Sequence, residues 1–224
     1  MTKVIMHNSI SLNGSFTDFE VNMGLHYQIA GTYKADATLI GSNTIKTGIE
    51  LEGEEVPPEN EADFIKPDRS SDLPYWVIVD TKGITLGLLH TCRGFEFCRD
   101  VIVLISRQTN KDYVNYLKKR NYDYLVCGNE HIDCEKAFSV LSNKYGIKTI
   151  LIDSGPTLNR VLLSKGLIDE ISLLVSPILV GGKSDKLLAY LNNGSINIDL
   201  KLLACKVFEK ELVLLRYKVL KGNH

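Results

Sequence analysis

The sequence predicts an α/β fold on a mixed, mostly parallel sheet. Three observations predict it. Short, nearly continuous apolar runs recur along the chain, without the alternation of a half-exposed strand. Segments with apolar residues at helical spacing lie between them. The last stretch changes character and reads as two long strands joined by a tight connection.

Taken in order, the apolar runs are Ala37–Ile40, Trp76–Val79, Val101–Ile105, Tyr124–Val126 and Thr149–Ile152. Their length suits strands buried on both faces of a parallel sheet. Asn110–Arg120 is polar, with Tyr113, Tyr116 and Leu117 on one helical face, and Cys134–Tyr145 places Ala137, Phe138 and Leu141 in the same way. Pro156–Lys165 carries Leu158, Val161 and Leu162, with Pro156 at its start and Gly166 just past its end, the positions helix termini favour. Asp199–Phe208 and Glu211–Leu220, separated by Glu209-Lys210, predict a closing antiparallel hairpin.

The 224 residues are read as a single domain interrupted by an acidic insertion at about 50–73. Between Glu50 and Leu73, six Glu and three Asp stand against one Lys and one Arg, a net charge of −7. With three prolines as well, the segment reads as a solvated loop. The whole chain carries a formal charge of −1, which excludes a strongly basic protein built to coat nucleic acid. The remainder is mildly basic, which fits a phosphorylated ligand. No apolar run approaches the roughly 18 residues that span a bilayer, so no membrane partner is expected. The N-terminal residues lack the pattern of a signal peptide. Five scattered cysteines without a Cys-x-x-Cys suit a reducing cytoplasm.

Candidate ligand contacts sit where the apolar runs stop, because ligands of open α/β sheets bind outside the carboxyl ends of the strands. The exits are Gly41-Ser42, Asp80-Thr81, Ser106-Arg107, Cys127-Gly128 and Asp153-Ser154-Gly155. They read equally as ordinary turns, which favour the same residue types. The last exit is the sharpest. Gly155 lets backbone approach a ligand, and Pro156 starts a helix whose N–H groups would point at a pyrophosphate. Gly41-Ser42-Asn43-Thr44 offers a second strand-to-helix turn. The glycine-rich fingerprint of the ordinary dinucleotide fold is absent. Cys127-x3-His131-x2-Cys134, and His90-x-Cys92 with Cys98, have ligand-like spacings, but neither makes a closed four-ligand set, and no metal is expected. His7 and His26 read as packing or surface residues.

The run Leu151 to Asn159, then Gly166-Leu167-Ile168-Asp169-Glu170, then Ser176-Pro177-Ile178-Leu179-Val180-Gly181-Gly182, resembles the signature of the riboflavin-biosynthesis reductases, the RibD C-terminal domain family. That family reads E-G-G-x-x-L, G-L-V-D-E and P-x-x-x-G-G. Ile10-Ser11-Leu12-Asn13-Gly14 resembles its S-L-D-G strand end, and Ala37 to Thr44 its G-x-x-T turn. The resemblance implies a dihydrofolate-reductase-like, three-layer α/β/α fold, a homodimer, NADPH, and reduction of a phosphorylated ribosylamino-pyrimidine to its ribitylamino form. By position, Gly41 and Thr44 would meet the cofactor phosphates, Gly155 to Val161 would wrap the pyrophosphate, and Ser154, Gly155, Pro156, Thr157 and Leu158 are the cofactor contacts expected at that turn. Thr81 and Lys82, or Ser106 and Arg107, would lie near the adenosine 2′-phosphate, where a cation selects NADPH. Lys82 and Arg107 also read as exposed loop charge. Asp153 would hold a substrate hydroxyl or ring nitrogen, or else cap the following helix. Asn13, Ser11 or Ser15 could polarise the reacting group. The departures cluster on the substrate side: Asn13 for Asp, Ser15 for Lys, Asp153-Ser154 for Glu-Gly, and no D-D-P after Thr44. They leave two alternatives, a dihydrofolate-reductase-like reductase of another small substrate and a nucleotide-binding relative without turnover.

Overall fold

The computed structural model describes residues 2–52, 56–181 and 197–221. The chain divides into two compact units, one made of Lys3–Lys34 and the chain from Leu151 onward, the other of Ala35–Ile150.

The second unit holds four parallel strands: β2 (Ala37–Gly41), β3 (Tyr75–Val79), β4 (Val101–Ile105) and β5 (Asp123–Val126). β2 pairs with β3, β3 with β4 and β4 with β5. Each matches an apolar run of the sequence to within a residue. β4, Val-Ile-Val-Leu-Ile, is buried at every position, as a central parallel strand requires. β5 departs from the expectation of burial on both faces. It pairs with β4 alone in this unit, and Val126 is exposed.

Helices α2 (Ser42–Glu52), α3 (Leu89–Gly94), α4 (Lys111–Lys119) and α5 (Cys134–Tyr145) belong to the same unit. α4 starts where the Asn110 side chain accepts the Asp112 N–H at 2.8 Å, and Lys118 and Lys119 sit at its negative end. α5 is capped by Asp133 and stopped by Gly146 at φ 71°, a conformation glycine adopts without a Cβ penalty. Ile40, Ile78, Val103, Leu117 and Tyr113 pack in the core of this unit.

The acidic insertion is not a solvated loop throughout. Tyr116 donates to Glu59 at 2.5 Å, and Arg120 Nε lies 3.0 Å from the other oxygen of that carboxylate. Arg93, paired with Asp100 at 2.8 Å, donates to the Asp63 carbonyl, and Arg69 donates to the carbonyls of Phe95 and Cys98. Asn60 and Asp63 close a capping box on a short 3-10 turn, Glu61–Phe64. One carboxylate of the insertion, Glu59, therefore meets Arg120 of the body, and its backbone and Arg69 add further contacts, none of them visible in its composition. Residues 53–55 lie outside the described residues.

The first unit pairs β1 (Lys3–Ser11) in parallel with β7 (Glu170–Ser176), and β7 antiparallel with β9 (Val213–Val219). β9 in turn pairs antiparallel with β8 (Leu200–Val207), the predicted hairpin. The remaining strand, β6 (Thr149–Ile152), contains the boundary between the units. Helices α1 (Met23–Thr32) and α6 (Pro156–Ser164) complete the unit. Ile29, Leu174, Leu212 and Leu214 form a small core. α6 follows its predicted span, but its buried face is Asn159, Leu162 and Leu163 rather than Leu158, Val161 and Leu162. A polar residue thus occupies the inward face.

Candidate active site

In the first unit, β1 brings four polar side chains, His7, Asn8, Ser9 and Ser11, into burial. Burying such groups is costly unless they are hydrogen-bonded, and each has a partner. Asn8 Nδ2 donates to the Ser154 carbonyl at 2.9 Å, and its Oδ1 accepts from Asn159 Nδ2 at 2.8 Å. Asn159 also donates to the Ser154 carbonyl at 3.1 Å. This amide pair fixes the turn between β6 and α6 against β1.

At that turn Asp153 is half-buried, and α6 begins at Pro156 with Gly155 as N-cap and no side-chain cap hydrogen bond. Asp153 therefore does not cap the helix. Its Oδ2 instead lies 3.5 Å from His26 Nε2 on α1. The His26 ring is buried, with Nδ1 2.9 Å from Ser9 Oγ. It stacks on His7 at 4.4 Å between centroids. His7 Nε2 donates to the His26 carbonyl at 3.2 Å, which leaves its Nδ1 as the acceptor for Ser172 Oγ at 2.9 Å. Burial, then the neighbouring His26, push the His7 imidazole down to about 4, so the inner ring is neutral near pH 7. Both histidines were expected as packing or surface residues; they are buried and joined to the candidate carboxylate through His26.

The loop after β1 holds the other residues expected on the substrate side. Asn13 is exposed, and its amide bonds both ways to Val180: Nδ2 donates to the carbonyl at 2.9 Å and Oδ1 accepts the N–H at 3.1 Å. Ser11 Oγ donates to the same Oδ1 at 2.8 Å. Ser15 is buried, and its hydroxyl donates to the Thr17 carbonyl at 2.9 Å. Asn13 and Ser15 thus shape the loop and tie it to the segment after β7. Gly182, the last residue of the glycine pair there, lies outside the described residues.

The second unit gathers its candidates along one carboxyl edge. Gly41 stands in register with Val79, and Val79 with Leu104, so the exits of β2, β3 and β4 are neighbours. Asp80 is fully buried and accepts the N–H groups of Lys82, Gly83, Ile84 and Thr85, which shapes the turn carrying Thr81 and Lys82. Thr109 Oγ1 donates to the Thr81 carbonyl at 3.1 Å and accepts the Ser106 N–H at 3.0 Å. One threonine thus joins the two exits. Lys82 and Arg107 are exposed, Thr44 is half-buried in the first turn of α2, and Ser106 is buried. Gly128, at φ 103°, turns the chain after β5; a Cβ there would lie 2.0 Å from the His131 carbonyl. Among the described residues, no group of three or more His, Cys, Asp or Glu could hold a metal ion, and no helix is long and apolar enough to cross a membrane.

The fold is of the dihydrofolate-reductase-like α/β type. A pyrimidine reductase-like protein of Corynebacterium diphtheriae superposes with a TM-score of 0.74, at 19% identity, over 99% of this chain and 93% of that one. Two curated relatives are each named 2,5-diamino-6-ribosylamino-4(3H)-pyrimidinone 5′-phosphate reductase. That of Methanothermobacter thermautotrophicus is 28% identical over 120 residues, 52% of this chain and 52% of that protein. That of Archaeoglobus fulgidus is 25% identical over 153 residues, 67% of this chain and 65% of that protein. The chain spans about half the length of the first and under two thirds of the second. The model of the RibD C-terminal domain family matches residues 2–214. With nearly the whole chain matched in order, this protein belongs to the RibD C-terminal domain family.

Proposed function

We propose that the chain is an NADPH-dependent reductase of riboflavin-biosynthesis type, acting on a phosphorylated ribosylamino-pyrimidine. The observation that carries the reading is Asp153: a half-buried carboxylate at a strand exit, two residues before the glycine cap of α6, in a chain of this family. The relatives' names supply the substrate class.

The residues fit a dinucleotide in their chemistry. The start of α6 has a glycine cap that contributes no side-chain acceptor, so the positive end of the helix suits an anion. Ser154, Gly155, Pro156, Thr157 and Leu158 would hold the pyrophosphate there. In the second unit, Gly41 and Thr44 are offered to cofactor phosphate, and Thr81 with Lys82, or Ser106 with Arg107, to the adenosine 2′-phosphate. When bound, NADPH supplies the hydride. Asp153 holds a substrate hydroxyl or ring nitrogen beside the carbon that is reduced. Asn13 and Ser15 shape the loop that follows β1.

The edge strand β8 supports a homodimer, since Leu200, Leu202, Leu203 and Val207 are exposed along it. Five scattered cysteines without a Cys-x-x-Cys support a cytoplasmic location. A second reading, nucleotide binding without turnover, draws on the engagement of Asn13 and Ser15 within their loop. Titration with NADPH and NADH, followed by nicotinamide fluorescence, tests the cofactor. Tight, NADPH-selective binding is expected; binding of neither would overturn the assignment.

A further inference from the structure

We propose that His26 is the positioning residue of the site: it holds the Asp153 carboxylate through Nε2 and is itself held by Ser9 and by stacking on His7. The inference rests on the reductase reading only for the use made of Asp153; the pairing itself stands on the geometry.

A half-buried carboxylate that is not a helix cap needs something else to fix its rotamer. His26 supplies it at 3.5 Å, from a ring that is almost wholly buried. That ring is constrained on each side. Ser9 Oγ meets Nδ1 at 2.9 Å, His7 lies against one face, and Tyr27 approaches edge-on at 5.1 Å between centroids. Nε2 lies 3.5 Å from a carboxylate oxygen, which only accepts, so the proposed pairing puts a proton on Nε2 and leaves Nδ1 to accept the Ser9 hydroxyl proton. His7 cannot compete for that role. Its Nε2 proton is committed to the His26 carbonyl, and Ser172 occupies its Nδ1. The other titratable or charged groups packed around the pair are Tyr27, Tyr33 against His7, and Arg216 above the Tyr33 ring, itself bonded to Glu170.

The arrangement has the order carboxylate, imidazole, hydroxyl, with the imidazole fixed by a second ring. An acceptor or donor that must meet a substrate within a few tenths of an ångström gains from such support, because a displaced group loses rate even when substrate still binds. His26 therefore acts on turnover, and its loss separates kcat from KM.

Two measurements on the full chain test this. The first needs neither cofactor nor substrate: the ring nitrogens of His26 are observed by 15N NMR in the wild type and in Asp153→Ala. Among neutral rings, the wild type should show the proton on Nε2 alone, and Asp153→Ala a mixture of both tautomers. An identical tautomer pattern in the two proteins would overturn the pairing. The second compares His26→Phe, which keeps a ring on His7 but no donor, with His26→Gln, which keeps an N–H donor. His26→Phe should lower kcat about tenfold or more, with KM within about twofold, and His26→Gln should recover most of that loss. Unchanged kcat in a folded His26→Phe protein would contradict the proposal. If the wild type reduces no pyrimidine substrate, the reductase reading falls, and the tautomer measurement alone decides the pairing.

Discussion

Strands β1 and β4 are both buried along nearly their whole length, yet they are built from opposite materials. β4 is Val-Ile-Val-Leu-Ile, and its burial is a gain at every position. β1 buries His7, Asn8, Ser9 and Ser11 among Val4, Ile5, Met6 and Ile10. Those polar groups stabilise little beyond their own desolvation. What they do is aim side chains: Asn8 at the turn before α6, and Ser9 at His26, which faces Asp153. A strand that only held the fold together would not need them. The contrast separates the second unit's apolar strand from the first unit's strand of buried, hydrogen-bonded polar side chains.

The contrast breaks most visibly in activity. Asp153→Asn should lower kcat/KM for the pyrimidine phosphate by roughly 10²-fold or more and leave thermal stability close to the wild type. A variant of normal rate would remove Asp153 from the site. In β4 the expectation reverses. Leu104→Ala should cost about 2–5 kcal/mol in urea unfolding, while any folded fraction keeps a normal KM.

The β1 side should show pH dependence that β4 does not. The His7 imidazole titrates near 4 in the folded protein and near 6.5 when unfolded. Between those values the unfolded chain binds the extra proton, so stability falls as pH is lowered from about 6.5 to about 4. The loss approaches about 3 kcal/mol, and above pH 7 the group contributes nothing. His7→Phe should flatten that part of the profile of melting temperature against pH. The smallest effect is expected for Asn159→Leu. It leaves Asn8 Oδ1 without its donor and should cost about 1–3 kcal/mol by chemical denaturation. A neutral result there would mean that the amide pair does not hold the turn.

Much of the scaffold was legible in the sequence, because a buried parallel strand writes its burial into composition. Val101–Ile105 and Thr149–Ile152 coincide with β4 and β6, and Cys134–Tyr145 with α5. The polar half of β1 was not. His7-Asn8-Ser9 interrupts an apolar run just as a loop would, and only the partners Ser172, His26 and Asn159, distant in the chain, make its burial possible. α1 was missed for a related reason. Only His26 and Ile29 of its ten residues are buried, so it carries almost no apolar stripe. The motif around Asp153 marked the turn between β6 and α6, but which residue caps the helix was not legible: Gly155 takes the cap and Asp153 faces His26. The insertion misled because composition counts charge and not its partners. Glu59 lies between Tyr116 and Arg120, 57 and 61 positions further along the chain.

The most direct test of the account is hydride transfer itself. The 224-residue protein is mixed with NADPH and 2,5-diamino-6-ribosylamino-4(3H)-pyrimidinone 5′-phosphate, and cofactor oxidation is followed by absorbance beside the Asp153→Asn protein. The account predicts turnover by the wild type, faster with NADPH than with NADH, and its near-complete loss in the variant. Equal rates for the two proteins, or NADPH bound but never oxidised with this substrate or its deaminated uracil counterpart, would contradict it.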